Sequence, residues 1–180
     1  MREEVPSLFL KGAGFLCIIY GTTALGYLYG RNLECYINHL HALKQIILMI
    51  AGEMEYTGYP LGEIFERIAP QLEAPYRNWI LYLQREIEKR VDEEFYVLWR
   101  RGIEDALSIL HLKEKHKRQL MELGMLLGTS NSENALSAIR LSADRLDYEI
   151  EIEREQLTAK KRVGYCMGIF GGLFLVILFI

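Results

Sequence analysis

The chain has 180 residues, a net charge of -3 and an apolar fraction of 51%, which is enough for one packed core and long apolar segments besides. Acidic and basic residues are mixed along the middle of the chain, and the absence of a basic block excludes a typical nucleic-acid-binding protein. The three cysteines, Cys17, Cys35 and Cys166, are too few and too widely spaced for a disulfide framework.

Two uncharged apolar segments lie near the two ends of the chain, and we expect both to be membrane-spanning helices. The first covers residues 12–30, after a tail of residues 1–11, and the second covers residues 163–180. At about 1.5 Å of rise per residue, each approaches the thickness of a ~30 Å hydrocarbon core. A cleavable signal peptide is the alternative for the first segment, although the apolar run of this segment is longer than the apolar core, or h-region, of a usual signal peptide.

Basic residues next to the two segments indicate the orientation of the middle region, residues 31–162. Arg31 follows the first segment, and Lys160, Lys161 and Arg162 precede the second. Because such residues tend to stay on the cytoplasmic side of a membrane, we expect the middle region to face the cytoplasm. The alternative is a membrane-anchored assembly factor whose middle region lies on the other side.

Apolar residues of the middle region recur at spacings of three and four, which predicts an all-α helical bundle flanked by the two membrane helices. Gly58 and Pro60 indicate a turn after the first helix, and Asp92 is a plausible N-cap. Trp79 and Trp99 are expected on facing helices of the core. The predicted helices cover residues 33–54, 61–69, 76–90, 92–110 and 113–127, with a last one that starts at Ser130 or Ser132. The first and last of these can continue directly into the membrane segments.

Metal and nucleotide sites are not expected. The histidines form two pairs, His39/His41 and His111/His116, and neither pair has the i, i+4 spacing that brings two ligands to one helix face. The glycine-containing segment 123–129 lacks the lysine of a phosphate-binding loop. The sequence therefore predicts neither a metal site nor a bound nucleotide, and no other cofactor.

The carboxylates that precede the Gly58–Pro60 turn could in principle perform acid/base chemistry. Glu53 and Glu55 have no nucleophilic neighbour in the sequence, so we interpret them as solvated or contact-making side chains and expect no enzymatic activity. A membrane-tethered enzyme that uses Glu53 is the rival hypothesis. The mixed-charge segment 144–161 is typical of an exposed helix face with i, i+4 pairs, and a partner-binding face is its alternative.

Glycines in the apolar segments indicate close helix contacts. Gly164, Gly168 and Gly172 form two small-xxx-small steps in the second segment, and Gly26 and Gly30 form one in the first. Glycine is common in membrane helices, so general membrane-helix composition explains them equally well.

Two motifs carry a resemblance to a known family. Glu53-Met54-Glu55-Tyr56 leads to Pro60-Leu61, and Leu123-Gly124 is followed by Leu127-Gly128-Thr129-Ser130-Asn131. In these motifs, and over residues 11–180, the chain resembles the stage III sporulation protein AB family of endospore-forming bacteria. The family pattern has Asp where this chain has Asn131, which puts a charge or capping role of that position in doubt.

The resemblance implies a non-enzymatic, two-pass component of the channel complex between mother cell and forespore, in the mother-cell membrane around the forespore. Its helical domain would resemble the cytoplasmic domain of the platform protein of type II secretion and type IV pilus systems. The implied partners are a secretion-type ATPase and the ring-forming channel proteins, besides membrane lipid. Self-association is left open, and nucleic acid is not expected.

The residues that we expect to bind a partner lie in the two motifs. The turn contributes Glu53, Glu55, Tyr56, Pro60 and Leu61, and a predicted loop contributes Gly124, Gly128, Thr129 and Ser130. Loop positions carry function more often than positions in an apolar seam. The alternative is that these residues only cap and connect helices.

Overall fold

A computed structural model describes residues 4–89, 93–128 and 132–179, and within these ranges the chain is all-helical without strands. Short 3₁₀ turns follow the second and fourth helices, at Ala69–Gln71 and Ser108–Leu110. This confirms the predicted all-α class. The helices are α1 Glu4–Thr57, α2 Leu61–Ile68, α3 Tyr76–Glu88, α4 Phe95–Ala106, α5 Glu114–Leu127 and α6 Ser132–Phe179.

The chain divides into two compact units. One comprises Met1–Asn38 with Glu151–Ile180, and the other comprises His39–Ile150. The second unit, called the bundle below, contains the motif residues of the sequence analysis that the structure describes. Helix α1 covers residues 12–30 and 33–54 without a break, and α6 continues into residues 163–179, as the sequence analysis expected for the first and last helices.

The membrane segments remain predictions. Among the residues with a described placement, no helix combines the length and the apolar character that a bilayer crossing requires. Most side chains of residues 12–30 and 163–180 lie outside the described ones, as do residues 1–3 of the predicted tail.

Inside the bundle, α1 and α6 run antiparallel. Two ion pairs show the direction, because Lys44 pairs with Asp147 and Glu55, further along α1, pairs with the earlier residue Arg140. Both helices bury apolar residues at three- and four-residue intervals in the core, which is the spacing that predicted helices in the middle region. The buried residues include Leu40, Leu43, Ile46, Ile47, Ile50 and Ala51 on α1, and Ala135, Ile139, Ala143, Leu146 and Ile150 on α6.

The core between α3, α4 and α5 is organised around the two tryptophans. Trp79 and Trp99 meet edge to face with their ring centroids 4.7 Å apart, which confirms that they lie on facing helices. The indole N–H of Trp99 donates to the Leu120 carbonyl at 2.7 Å. Each ring covers a glycine of the next helix, Trp79 covering Gly102 and Trp99 covering Gly124. The absence of a Cβ at these glycines lets three helices pack closely.

The helix predicted over residues 92–110 is wrong at both ends. It starts at Phe95 with Glu94 as the N-cap residue, and the predicted cap Asp92 lies outside the described residues. It ends at Ala106, and the Ser108 hydroxyl donates to the Asp105 carbonyl at 2.9 Å. Such side-chain bonds compete with helical backbone bonds, which accounts for the change to a 3₁₀ turn.

Candidate functional site

The turn between α1 and α2 is built by its local sequence. The Thr57 hydroxyl donates to the Glu53 carbonyl at 2.7 Å and accepts from the Tyr59 backbone N–H at 3.2 Å. Gly58 has a φ of +64°, in the left-handed region that favours glycine. Pro60 then takes an extended conformation just before α2. The turn is thus held by defined hydrogen bonds, as the Gly58–Pro60 pattern predicted.

Both predicted carboxylates of the turn have arginine partners. Glu55 pairs with Arg140 of α6, and an Oε atom of Glu53 lies 3.4 Å from Nε of Arg67 on α2. These pairs connect the end of α1 to two other helices of the bundle. The geometry therefore agrees with contact-making carboxylates.

The two tyrosines of the turn lie at the surface. Tyr56, on the last turn of α1, is 93% exposed. Tyr59 is also exposed, and the Arg67 guanidinium lies over its ring at 5.3 Å from the centroid, a cation–π geometry. Tyrosine is among the residue types that are most enriched in binding hot spots.

A surface cleft connects the turn to the end of α5. Its volume is about 320 Å³. Pro60 and Leu61 from the first motif line it together with Gly128 from the second, although more than sixty positions separate them in the sequence. The full lining is Pro60, Leu61, Gly62, Glu86, Ile87, Glu93, Phe95, Leu98, Leu127 and Gly128. We call it the turn cleft.

Carboxylates border the turn cleft, whereas most of its lining is apolar. Glu86 accepts a bond from Lys89 at 2.6 Å, and Glu93 accepts two from the Arg101 guanidinium at 2.8 and 3.3 Å. The hydrogen bond to Glu93 raises the pKa of Arg101 above its already high value. Glu94 is exposed beside Glu93. The cleft thus combines mostly apolar side chains with two carboxylates, each of which is paired with a basic residue.

The second motif is only partly at the surface. Placing Gly124 in a loop is wrong, because it lies within α5 and is buried beneath the Trp99 ring. Gly128 is exposed directly after α5 and lines the turn cleft. Thr129 and Ser130 lie outside the described residues. A partner can therefore reach Gly128 directly, whereas Gly124 positions α5 from within.

Sequence reasoning missed the contribution of α3 and α4 to the turn cleft. Helical periodicity places Ile87 on the packed face of α3 and Phe95 on that of α4, yet both are only half-buried and line the cleft. Nothing in the sequence singles out Glu86 or Glu93. Periodicity can place a residue on one face of a helix, but it cannot show where two neighbouring helices leave a gap.

A second polar cluster connects α5 to α6. His116 is buried, and its Nε2 lies 2.9 Å from Oε2 of Glu149. Lys115 and Gln119 donate to the other carboxylate oxygen at 2.8 and 2.9 Å. Burial raises the pKa of Glu149, but the hydrogen bonds from Lys115 and Gln119 and the nearby charges outweigh it, and the net pKa is lowered.

The Glu149 cluster changes the interpretation of the mixed-charge segment 144–161. In this segment Asp147 pairs with Lys44 of α1, and Glu149 pairs with Lys115 of α5. The segment therefore forms ion pairs with other helices and not only i, i+4 pairs within α6. Sequence spacing within one helix could not show these partners.

The described helices and their surface define an all-helical bundle protein with an exposed turn and an adjoining cleft. The chain belongs to the stage III sporulation protein AB family, whose model matches residues 11–180. This confirms the resemblance found in the two motifs, and it assigns the chain to sporulation. No catalytic family is indicated.

Two relatives support the assignment. The chain is 24% identical over 170 residues to stage III sporulation protein AB of Bacillus subtilis (strain 168), covering 94% of this chain and 98% of that protein. A solved structure of stage III sporulation protein AB (SpoIIIAB) aligns with a TM-score of 0.60 at 19% identity, over 67% of this chain and 94% of that one. At this identity the structural similarity shows the shared fold.

Proposed function

We propose that this chain is a non-enzymatic membrane platform of the channel complex between mother cell and forespore. In this proposal its bundle docks a secretion-type ATPase and connects it to the ring-forming channel proteins. The single observation that carries it is the surface formed by the two motifs, where Tyr56 stands exposed on the last turn of α1, four residues before Pro60 in the lining of the turn cleft. Family membership supplies the sporulation context.

Docking explains the surface better than catalysis does. Tyr56 is 93% exposed, so its ring adds little to the packed core, and the folding of the bundle does not explain an aromatic side chain at this position. Glu53 and Glu55 are engaged by Arg67 and Arg140, which leaves them poorly placed as general bases. An exposed aromatic side chain close in sequence to a mostly apolar cleft has the composition of a protein interface centre.

The terminal apolar segments support anchoring in the mother-cell membrane. Residues 12–30 and 163–180 would each cross the bilayer once, and the basic residues at their borders favour a cytoplasmic bundle. Such a platform contacts lipid directly, and it can also self-associate within the complex. The alternative is an assembly factor with the bundle on the non-cytoplasmic side.

Thiol labelling in intact cells distinguishes the two orientations. Cys35 is exposed in the structure, so burial does not hide it from a reagent. In a variant with Cys17→Ser and Cys166→Ser, a membrane-impermeant maleimide should label Cys35 only after the cells are permeabilised. Equal labelling before permeabilisation would establish the alternative orientation.

Co-purification with the ATPase tests the docking role. The full chain is expressed with the secretion-type ATPase of the same organism, extracted in mild detergent and recovered through an affinity tag. We expect the ATPase to co-purify, and we expect Tyr56→Ala to abolish recovery. Tyr148→Ala is the matched control, because Tyr148 is a 71% exposed tyrosine on α6, away from the turn. Absence of the ATPase even after crosslinking would contradict the platform role.

A further inference from the structure

We propose that the turn cleft holds an apolar side chain of the docked partner, in a segment where that side chain is flanked by Lys or Arg. This inference rests on the proposed docking function and specifies the chemistry of its contact. The occupant is thus a short segment of the partner protein. A second copy of this chain and a segment of the same chain are outcomes of the test.

The size of the turn cleft suits a side chain of a partner better than a whole folded element. Its volume of about 320 Å³ is at the lower end of the ~300–1,000 Å³ typical of ligand pockets. Leu98 and Leu127 in its lining are buried, whereas Leu61, Ile87 and Phe95 are only half-buried. Covering these three side chains removes their remaining apolar surface from water, which favours an apolar occupant.

Two glycines keep the turn cleft open. A Cβ on Gly62 would lie 3.4 Å from Cγ2 of Ile87, and a Cβ on Gly128 would lie 3.4 Å from Cδ1 of Phe95. Gly128 has a φ of −75°, which any residue adopts, so its backbone does not require glycine. A larger side chain at Gly128 would therefore occupy part of the cleft without straining the backbone at the end of α5.

The charge around the turn cleft selects basic residues beside the apolar one. Glu86 and Glu93 line it, and among the described residues that adjoin lining positions in the sequence, Glu63, Glu88 and Glu94 are acidic and Arg85 is basic. Lys89 and Arg101 balance the first two carboxylates. Glu63 and Glu94 form no ion pair with any residue whose placement is described. The surplus negative charge attracts Lys or Arg and disfavours an acidic segment.

Site-specific photo-crosslinking tests the occupant. The full chain carrying p-benzoylphenylalanine in place of Ile87 is expressed with the ATPase in membranes, irradiated and analysed by mass spectrometry. We expect an ATPase peptide in which an apolar residue adjoins Lys or Arg. The same photoreactive residue in place of Tyr148 is the control, and it should capture much less ATPase.

Affinity measurements on the purified full chain give the second test. Gly128→Val should weaken ATPase binding about tenfold or more, the equivalent of losing one buried apolar side chain. Gly21→Val is the matched control, because Gly21 is exposed on α1, 35 residues before Tyr56, and a Cβ there would have no neighbour within 4 Å. It should leave binding unchanged.

The outcomes separate this inference from the docking role. If the ATPase co-purifies in a Tyr56-dependent manner but position 87 captures an acidic peptide, a second copy of the chain, only its own chain, or nothing, the inference is overturned and docking stands. Unchanged binding by Gly128→Val also overturns it. If the ATPase neither co-purifies nor crosslinks at any position, both proposals fail.

Discussion

The contact between Gly124 and Trp99 allows a sharp test of how the bundle is packed. A Cβ on Gly124 would lie 2.5 Å from Cγ and 2.7 Å from Nε1 of the Trp99 ring, well inside van der Waals contact. The ring cannot simply turn away, because Trp99 is fully buried and its N–H is bonded to the Leu120 carbonyl. Gly124→Ala must therefore separate α4 from α5 or break that hydrogen bond.

The expected magnitude follows from three contributions. Overpacking a core costs about 1–3 kcal/mol. Leaving a buried indole N–H without its acceptor adds about 1–3 kcal/mol if the ring moves. Replacing Gly by Ala within a helix returns up to about 1 kcal/mol. We expect Gly124→Ala to lower the free energy of unfolding by about 2–3 kcal/mol.

Urea unfolding followed by tryptophan fluorescence measures this effect in the full chain. The chain has two tryptophans, both in the bundle core, so the signal reports on this packing directly. Gly52→Ala is the matched control: it lies in a helix with open space around its Cβ position and should gain about 0.5–1 kcal/mol. Combining Gly124→Ala with Trp99→Phe should cost less than the sum of the single changes, because the smaller ring relieves the clash.

A Gly124→Ala variant at least as stable as the original chain would refute the packing argument. It would mean that α5 does not approach Trp99 this closely. A loss of stability equal in Gly124→Ala and Gly52→Ala would likewise show that the tryptophan contact is not the cause.

Three further predictions concern the polar groups and the turn. Because the pKa of Glu149 is lowered on folding, its contribution to stability is present at neutral pH and is lost as the pH falls through about 4 and below. Glu149→Gln should therefore flatten this acidic part of a curve of unfolding free energy against pH. An unchanged curve in this range would show that the Lys115 contact does not lower the pKa of Glu149. Gly58→Ala should lower the free energy of unfolding measured in urea by about 1 kcal/mol, because Gly58 has a φ of +64°. An unchanged free energy of unfolding would contradict the left-handed conformation of the turn. Tyr56→Ala should change the free energy of unfolding by no more than about 0.5 kcal/mol, because an exposed side chain adds little to folding. A larger loss would show that Tyr56 stabilises the fold.

Local rules were sufficient for much of the bundle. The three- and four-residue spacing of apolar residues predicted the helices of the middle region, and Leu40, Leu43 and Ile47 show the buried face that this spacing produces on α1, since a helix repeats its face about every 3.6 residues whatever surrounds it. The turn at Gly58 and Pro60 was also readable, because left-handed and extended conformations are properties of single residues and their neighbours. The two motifs, from Glu53 to Leu61 and from Leu123 to Asn131, were also sufficient to identify the family.

Only the tertiary structure decided which side chains share a surface. Nothing in the sequence around Gly124 indicates that Trp99 from another helix lies directly above it. The turn cleft joins Leu61 to Gly128, and the Glu149 carboxylate meets partners on α5 about thirty positions away. These relations depend on how helices are spaced and rotated against one another. That arrangement is set by the packing of the whole core, so no short stretch of sequence contains it.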